Sequence, residues 1–318
     1  MPDDARPHSI AEMPAQLAAT PATPAEARGR FFNTGNAFNV QLPPVPDRSF
    51  TEEPRKALDP ATPTGLIPCD ISTELNCAFP ATTPLVLASY AKIRAGEFLT
   101  TDFVASGVIT YVISGSGTTR CVDECIDWNS GDLFVLPGGE PATHTAPNAD
   151  AVLWIVTNEP QLAFENLRAP ARGEAPTDVV HYRADEIERQ IALLYDIGRN
   201  EQIAGSALIF SAERQVATRN ILPTLTVAMN SLPGGAVQRP HRHNSVAVSL
   251  IIKGDRCFSM IDGRRKDWAP WATTITPPVS VHSHHNGGNQ QALFLIVQDG
   301  GIFYHARAMG FEFAEHPS

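Results

Sequence analysis

Residues 239–255 read RPHRHNSVAVSLIIKGD and residues 281–286 read VHSHHN. In the first, an HxH pair runs into an apolar, β-branched stretch closed by glycine, a composition that favours an extended strand. Side chains alternate between the two faces of a strand, so His241 and His243 project from one face. His282 and His284 show the same alternation, and His285 points the other way. If the run ending at Gly254 and the one beginning at Ala272 are strands of one antiparallel unit, His282 meets His241 and His243. Three neutral imidazoles then cap one face of a divalent metal and leave positions open for ligands. A lone HxH also fits surface or core histidines. The third His, 41 residues beyond His241 and placed behind the Pro277-Pro278 turn, favours the metal.

Working outward, the stretch belongs to a series of short apolar runs broken by turns: LTVAMNSL, VAVSLIIKG, RCFSMIDG, ATTITPP and ALFLIV between Leu225 and Val297. A matching series, LVLASYAKI, VITYVIS, GDLFVLP and AVLWIV, occupies the chain from Leu85 to Pro160. Leu87 and Leu225, Gly115 and Gly254, and Pro137 and Pro277 are offset by 138 to 140 residues, which marks an internal repeat. Runs of this length and composition predict an all-β fold. Between the repeats, residues 183–200 change period: Ile187, Ile191, Leu194 and Tyr195 fall on one helical face, with Asp185 and Glu186 near its N-terminus.

The expected organisation is a disordered tether over 1–30, an irregular arm over 31–84, a first barrel over 85–165, a linker with a helix over 166–205, and a second barrel over 206–318. The tether expectation rests on the run PAQLAATPATP at 14–24. Composition agrees with β structure. The 27 prolines exclude a mainly helical bundle, because each interior proline costs about 3 kcal/mol of helix. With 24 Lys+Arg against 34 Asp+Glu the net charge is −10, which argues against nucleic-acid and anionic-membrane partners. Neither a signal peptide nor a membrane span is legible, so a cytoplasmic protein is expected. Five cysteines form no disulfide framework. Cys121 and Cys125 of CVDEC lack partner ligands and read as buried or redox-idle thiols. Trp268 and Trp271 of WAPW read as packing or rim residues.

HRH followed by an Ala-containing apolar strand, then IDG, then TPP and HxHHN, resembles the bicupin gentisate, salicylate and 1-hydroxy-2-naphthoate dioxygenases of the cupin superfamily. The resemblance is specific over residues 221–300 and architectural over 85–160. It implies two cupin jelly-roll barrels joined by a helical linker, with Fe(II) held by His241, His243 and His282, Mn(II) as an alternative metal, and O2 as co-substrate. It also implies a small aromatic substrate, a homo-oligomer (dimer or tetramer), and a proton-carrying role for His284. Many metal-binding cupins add a Glu after HxH. Here Ala247 and Val248 occupy those positions, which agrees with the ring-cleaving group.

Two departures matter. At the repeat offset, the HxH positions of the first barrel fall on Asp102 and Val104 or on Phe103 and Ala105, and His144 alone remains near the second motif. The first barrel is therefore expected to be metal-free. The family's carboxylate-binding Arg is replaced by Ser249, and a hydroxyl does not substitute for a bidentate guanidinium. Arg219 and Arg239 are the nearest cations in sequence that could take over, and the Asn230 amide stands where the family has Gln. The leading reading is a non-haem Fe(II) dioxygenase that cleaves the ring of gentisate, salicylate or a substituted salicylate. The alternatives are a cupin oxygenase for a hydroquinone or diketone, and a non-catalytic bicupin that uses its metal only to hold a ligand.

Overall fold

The computed structural model describes residues 8–197 and 206–314. The start of the expected tether, the end of the expected linker helix and the last four residues of the chain lie outside them. Residues 8–43 form a small unit of their own. It contains the five-residue helix Pro24–Arg28, whose first turn is capped by the Thr23 hydroxyl, and an isolated bridge between Gln16 and Phe31.

From residue 44 onward the chain is built of antiparallel sheets, and two sandwiches repeat one topology. In the first, a six-stranded sheet has the order Val180–Tyr182, Leu133–Pro137, Gly107–Ser114, Ala151–Thr157, Leu87–Ile93, Gly65–Pro68. In the second, Ser49–Phe50, Thr273–Thr276, Ala247–Lys253, Ala292–Gln298, Thr226–Leu232 and Ser206–Phe210 follow the same order. Each also has a smaller sheet. Glu97–Thr101, Ala142–Ala146, Ser116–Cys121 and Glu124–Asn129 in the first match His241–His243, His282–Asn286, Cys257–Ile261 and Arg264–Asp267 in the second. The second carries one extra edge strand, Phe311–Phe313, paired with the HRH strand.

The near-continuous apolar runs follow from this packing. Every residue of Ala151–Thr157 is buried. Leu153 and Ile155 point into the first sandwich, whereas Val152, Trp154 and Val156 join a core shared with Val248, Leu250, Ile275 and Leu295 of the second. A strand covered on both faces has no polar side, as in buried parallel sheets. At the contact, the Tyr90 hydroxyl and the Trp154 Nε1–H both reach the Thr273 hydroxyl. The linking helix runs over Ala184–Asp196, within the expected segment, and buries Ile187 and Ile191. Its first N–H is capped by the carboxylate of Asp132, which directly precedes the strand Leu133–Pro137, at 2.8 Å. Cys121 is buried and Cys125 exposed, on either side of a hairpin whose turn includes Val122. Among the described residues no helix is long and apolar enough to cross a membrane.

The registers correct the repeat alignment. Thr101 pairs with Ala142 as His241 pairs with His282, and Thr119 pairs with His144 as Ser259 pairs with His284. In the first sandwich the ligand positions are therefore Thr101, Phe103 and Ala142, instead of Asp102 and Val104 or Phe103 and Ala105. His144 is fully buried between two hydroxyls, with Nδ1 2.8 Å from Thr119 Oγ1 and Nε2 3.2 Å from Thr101 Oγ1. Burial pushes its pKa down to about 4. The unfolded chain, with an ordinary imidazole near 6.5, binds this proton more readily. Stability from His144 is thus complete above about pH 6.5 and falls toward pH 4 by about 1.4 kcal/mol per pH unit. Thermal unfolding of His144→Gln measured between pH 7 and 4.5 is expected to fall less steeply than that of the unaltered chain by that amount. Parallel slopes would contradict a buried neutral His144.

Candidate metal centre

His241 and His282 face each other across adjacent antiparallel strands, with ring centroids 4.3 Å apart, and the His243 ring lies 4.8 Å from that of His282. One ring nitrogen from each lies within 4.8 Å of the other two, the one such cluster among the described residues. Local chain chemistry sets this meeting. After Pro277-Pro278 the chain turns at Val279, a β-branched residue at φ 60°, whose N–H bonds the His243 carbonyl at 2.7 Å. A residue of this type in that region costs on the order of 1–3 kcal/mol, and the turn that needs it delivers His282 to its partner. On the other flank the Asp-Gly turn of IDG is left-handed at both residues, φ 47° and 75°. The Asp262 carboxylate accepts from the Val281 N–H at 2.9 Å and pins the start of the ligand strand.

Each of the three imidazoles has its Nδ1 against a backbone carbonyl two residues away: Arg239 O at 2.9 Å for His241, Ser245 O at 2.8 Å for His243 and Ser280 O at 3.0 Å for His282. A carbonyl only accepts, so Nδ1 carries the proton and Nε2 is left with its lone pair. All three rings are buried. Burial, the largest cause in each case, pushes His243 to about 4 and His282 to about 2 and lowers His241, which keeps the imidazoles neutral. Three neutral, oriented nitrogens with fixed tautomers suit a divalent transition metal and leave coordination positions on the cavity side. The Gln298 amide lies 3.2 Å from His243 Nε2.

The cavity in front of these nitrogens measures about 510 Å³, within the range of small-molecule sites. Asn230, Ser249 and His284 line it. Arg219 and Arg239 do not. Arg219 sits in an exposed turn at φ 57°, and Arg239 is exposed with its guanidinium 4.0 Å above the Phe313 ring. The proposed replacement of the family Arg by either one is thereby corrected: neither reaches the cavity. His285 points away and stacks on Phe258, with centroids 4.5 Å apart.

Sequence reasoning missed the walls formed by Gln238, Thr276, Gln298, Tyr304, Met309 and Phe311. Three of these follow the last long strand of the repeat, where no motif stands. It also missed a buried relay: Trp268 Nε1–H donates to Ser259 Oγ at 2.8 Å, and Ser259 lies 2.8 Å from His284 Nδ1. Ser259 Oγ has no other acceptor within reach among the described residues, so its hydroxyl proton goes to Nδ1, which leaves the proton of neutral His284 on Nε2. Trp128, Thr119 and His144 repeat the relay in the first sandwich at a constant offset of 140 residues, a signal present in the sequence. Trp268, read as a packing residue, packs on Phe294 and also anchors this relay.

No family model matches the chain. Among curated proteins, it is 31% identical over 90 residues to 1-hydroxy-2-naphthoate 1,2-dioxygenase of Nocardioides sp., covering 28% of this chain and 23% of that protein. It is 25% identical over 125 residues to gentisate 1,2-dioxygenase of Ralstonia sp., covering 39% and 31%, and 32% identical over 79 residues to 5-aminosalicylate 1,2-dioxygenase of Comamonas sp., covering 25% and 21%. The matched segments thus span less than a third of each of these relatives. Among solved structures, salicylate 1,2-dioxygenase from Pseudaminobacter salicylatoxidans superposes with a TM-score of 0.72 at 12% identity, over 89% of this chain and 92% of that one. The same enzyme in its adducts with gentisate gives 0.72 at 12% identity, over 88% of each chain. The all-β fold with two repeated units expected from the sequence, and implied by the resemblance to the bicupin dioxygenases, is shared with these salicylate dioxygenase structures, and the curated relatives are dioxygenases of the expected kinds.

Proposed function

We propose that the protein is a non-haem Fe(II) dioxygenase that opens the ring of a hydroxylated aromatic substrate with insertion of both atoms of O2. The observation that carries this reading is the common orientation of His241, His243 and His282, each anchored at Nδ1 with its lone pair on Nε2, on the wall of a cavity large enough for a substituted ring. The similarity to ring-cleaving dioxygenases supports it. His241, His243 and His282 would hold the iron, which when bound supplies adjacent open positions for substrate oxygens and O2 and the redox path between them.

The remaining residues position and protonate. His284 lines the cavity, and burial pushes its pKa to about 3, so it is neutral at pH 7. With Nδ1 held by Ser259 it presents an Nε2–H, a donor for a developing negative charge on a substrate oxygen. The Asn230 amide offers a second polar contact. Phe311 stands 5.2 Å from the His241 ring and, with Ile296 and Met309, gives the ring an apolar wall.

Three outcomes are expected. Anaerobic reconstitution with Fe(II), followed by oxygen-electrode assay over gentisate, salicylates, hydroxynaphthoate and hydroquinone, gives O2 uptake with at least one; bound iron with no uptake for any of them leaves the non-catalytic bicupin. His282→Ala abolishes iron retention, measured by metal analysis after gel filtration, and retention at full occupancy means the ligand set is wrong. Ser259→Ala frees the His284 ring to change tautomer and lowers kcat by roughly tenfold or more at unchanged iron content; an unchanged kcat removes His284 from the chemistry.

A further inference from the structure

Among the described residues no Asp or Glu lines the cavity in front of the three histidines, so a further metal ligand from this wall is neutral. Of its amides and hydroxyls, Gln298 alone among the described residues touches the lone pair of a ligand nitrogen. Its side-chain amide lies 3.2 Å from His243 Nε2. The Ser245 carbonyl holds the His243 proton at Nδ1, so the amide N–H donates and Nε2 accepts.

Sheet register puts the amide there. Gln298 ends the strand Ala292–Gln298 and stands opposite Thr226 on one side and Ala247 on the other, with Thr276 opposite Ala247 on the next strand. Residues directly opposite in antiparallel strands project to one face, and all four line the cavity. In this row Ala247 carries only a methyl group, which leaves room for the longer side chain of Gln298 to reach His243.

The contact distance has a chemical meaning. Two donors held at right angles on one transition metal, each at about 2.1 Å, lie about 3.0 Å apart. The amide atom at 3.2 Å from Nε2 therefore stands close to the separation of neighbouring ligands. A half-turn about the Cγ–Cδ bond exchanges the NH2 group for Oε1 at the same place, and Oε1 has no hydrogen-bond partner among the described residues. A metal that takes the His243 lone pair deprives the N–H of its acceptor and sets it against a cation. The carbonyl oxygen, turned inward, is attracted to that cation instead.

We propose that Gln298 is a fourth metal ligand, binding through Oε1 beside His243 in the metal-loaded, substrate-free protein. This rests on the three-histidine metal reading of the same site and extends it. A neutral amide leaves the ion its full 2+ charge, and it yields to a phenolate or carboxylate oxygen more readily than a protein carboxylate does, so its position stays exchangeable for substrate.

Anaerobic competition with a chromophoric chelator measures Fe(II) affinity, and Co(II)-loaded protein reports its coordination through the visible d–d bands, both without turnover. Gln298→Leu is expected to weaken Fe(II) binding by roughly tenfold or more and to change the Co(II) bands. Gln298→Asn keeps the amide but withdraws it by one carbon, and is expected to resemble Gln298→Leu. Gln298→Glu, of the same size with a stronger oxygen ligand, is expected to bind Fe(II) roughly tenfold or more tightly than the unaltered protein. It decides the matter if the other two fail to fold, and no gain there overturns the proposal. Unchanged affinity in Gln298→Leu, a Gln298→Asn protein indistinguishable from the unaltered one, or a weakened affinity with unchanged Co(II) bands also overturns it and leaves the three-histidine site standing. If the unaltered protein holds neither metal, both fall together.

Discussion

Three backbone carbonyls, those of Arg239, Ser245 and Ser280, decide what the second sandwich can do. An imidazole has two nitrogens and, when neutral, one proton, so fixing that proton at Nδ1 fixes the lone pair at Nε2. Each carbonyl lies two residues from its histidine, within reach of a local chain bend. Without these bonds the three rings would be buried bases free to rotate and to change tautomer. With them, the rings converge on one point at the cavity wall. The turn at Val279 and the Asp262 bond to the Val281 N–H follow from the same requirement, since both place the strand that carries His282.

The first sandwich shows what the framework looks like with other residues at the ligand positions. It has the same strand order, and the relay from Trp128 through Thr119 to His144 is the counterpart of that from Trp268 through Ser259 to His284. Yet Thr101, Phe103 and Ala142 stand at the ligand positions, and the Thr101 hydroxyl contacts His144. A hydrogen-bonded knot and an aromatic side chain fill the place where three imidazoles open onto a cavity in the second sandwich. The shared relay is thus part of the framework of both units, and in the second it lies beside a cavity where the Nε2–H of His284 can be used.

Charge economy follows from the packing. Only 18% of residues are charged, against about 25% in an ordinary soluble domain. Two six-stranded sheets pack against each other while each also covers the interior of its own sandwich, so strands such as Ala151–Thr157 have no solvent face on which to carry charge. The cavity continues this economy with neutral amides and hydroxyls. The net charge of −10 is a sum over the whole chain and does not describe the potential next to the three histidines.

The sequence by itself determined the repeat, the all-β class, a linking helix within residues 183–200 and the three clustered histidines. These are legible because strand alternation, helical period and turn residues are local, and because each HxH projects one way on any strand. Registers were less legible. Anchoring the repeat on Leu87/Leu225 and Gly115/Gly254, offsets of 138 and 139, misplaced the first sandwich's ligand positions by two residues and one, whereas the strand registers follow the offset of 140 that Pro137 and Pro277 also show, and a slip of one residue turns every side chain to the other face. Only the tertiary structure decided which side chains surround the histidines. It excluded Arg219 and Arg239 from the cavity, brought Gln238, Gln298 and the strand Phe311–Phe313 to it, and joined Trp268 to His284 through Ser259. Those contacts link residues from separate strands and from a C-terminal segment without motif. Their proximity comes from sheet pairing across tens of residues, which no local pattern encodes.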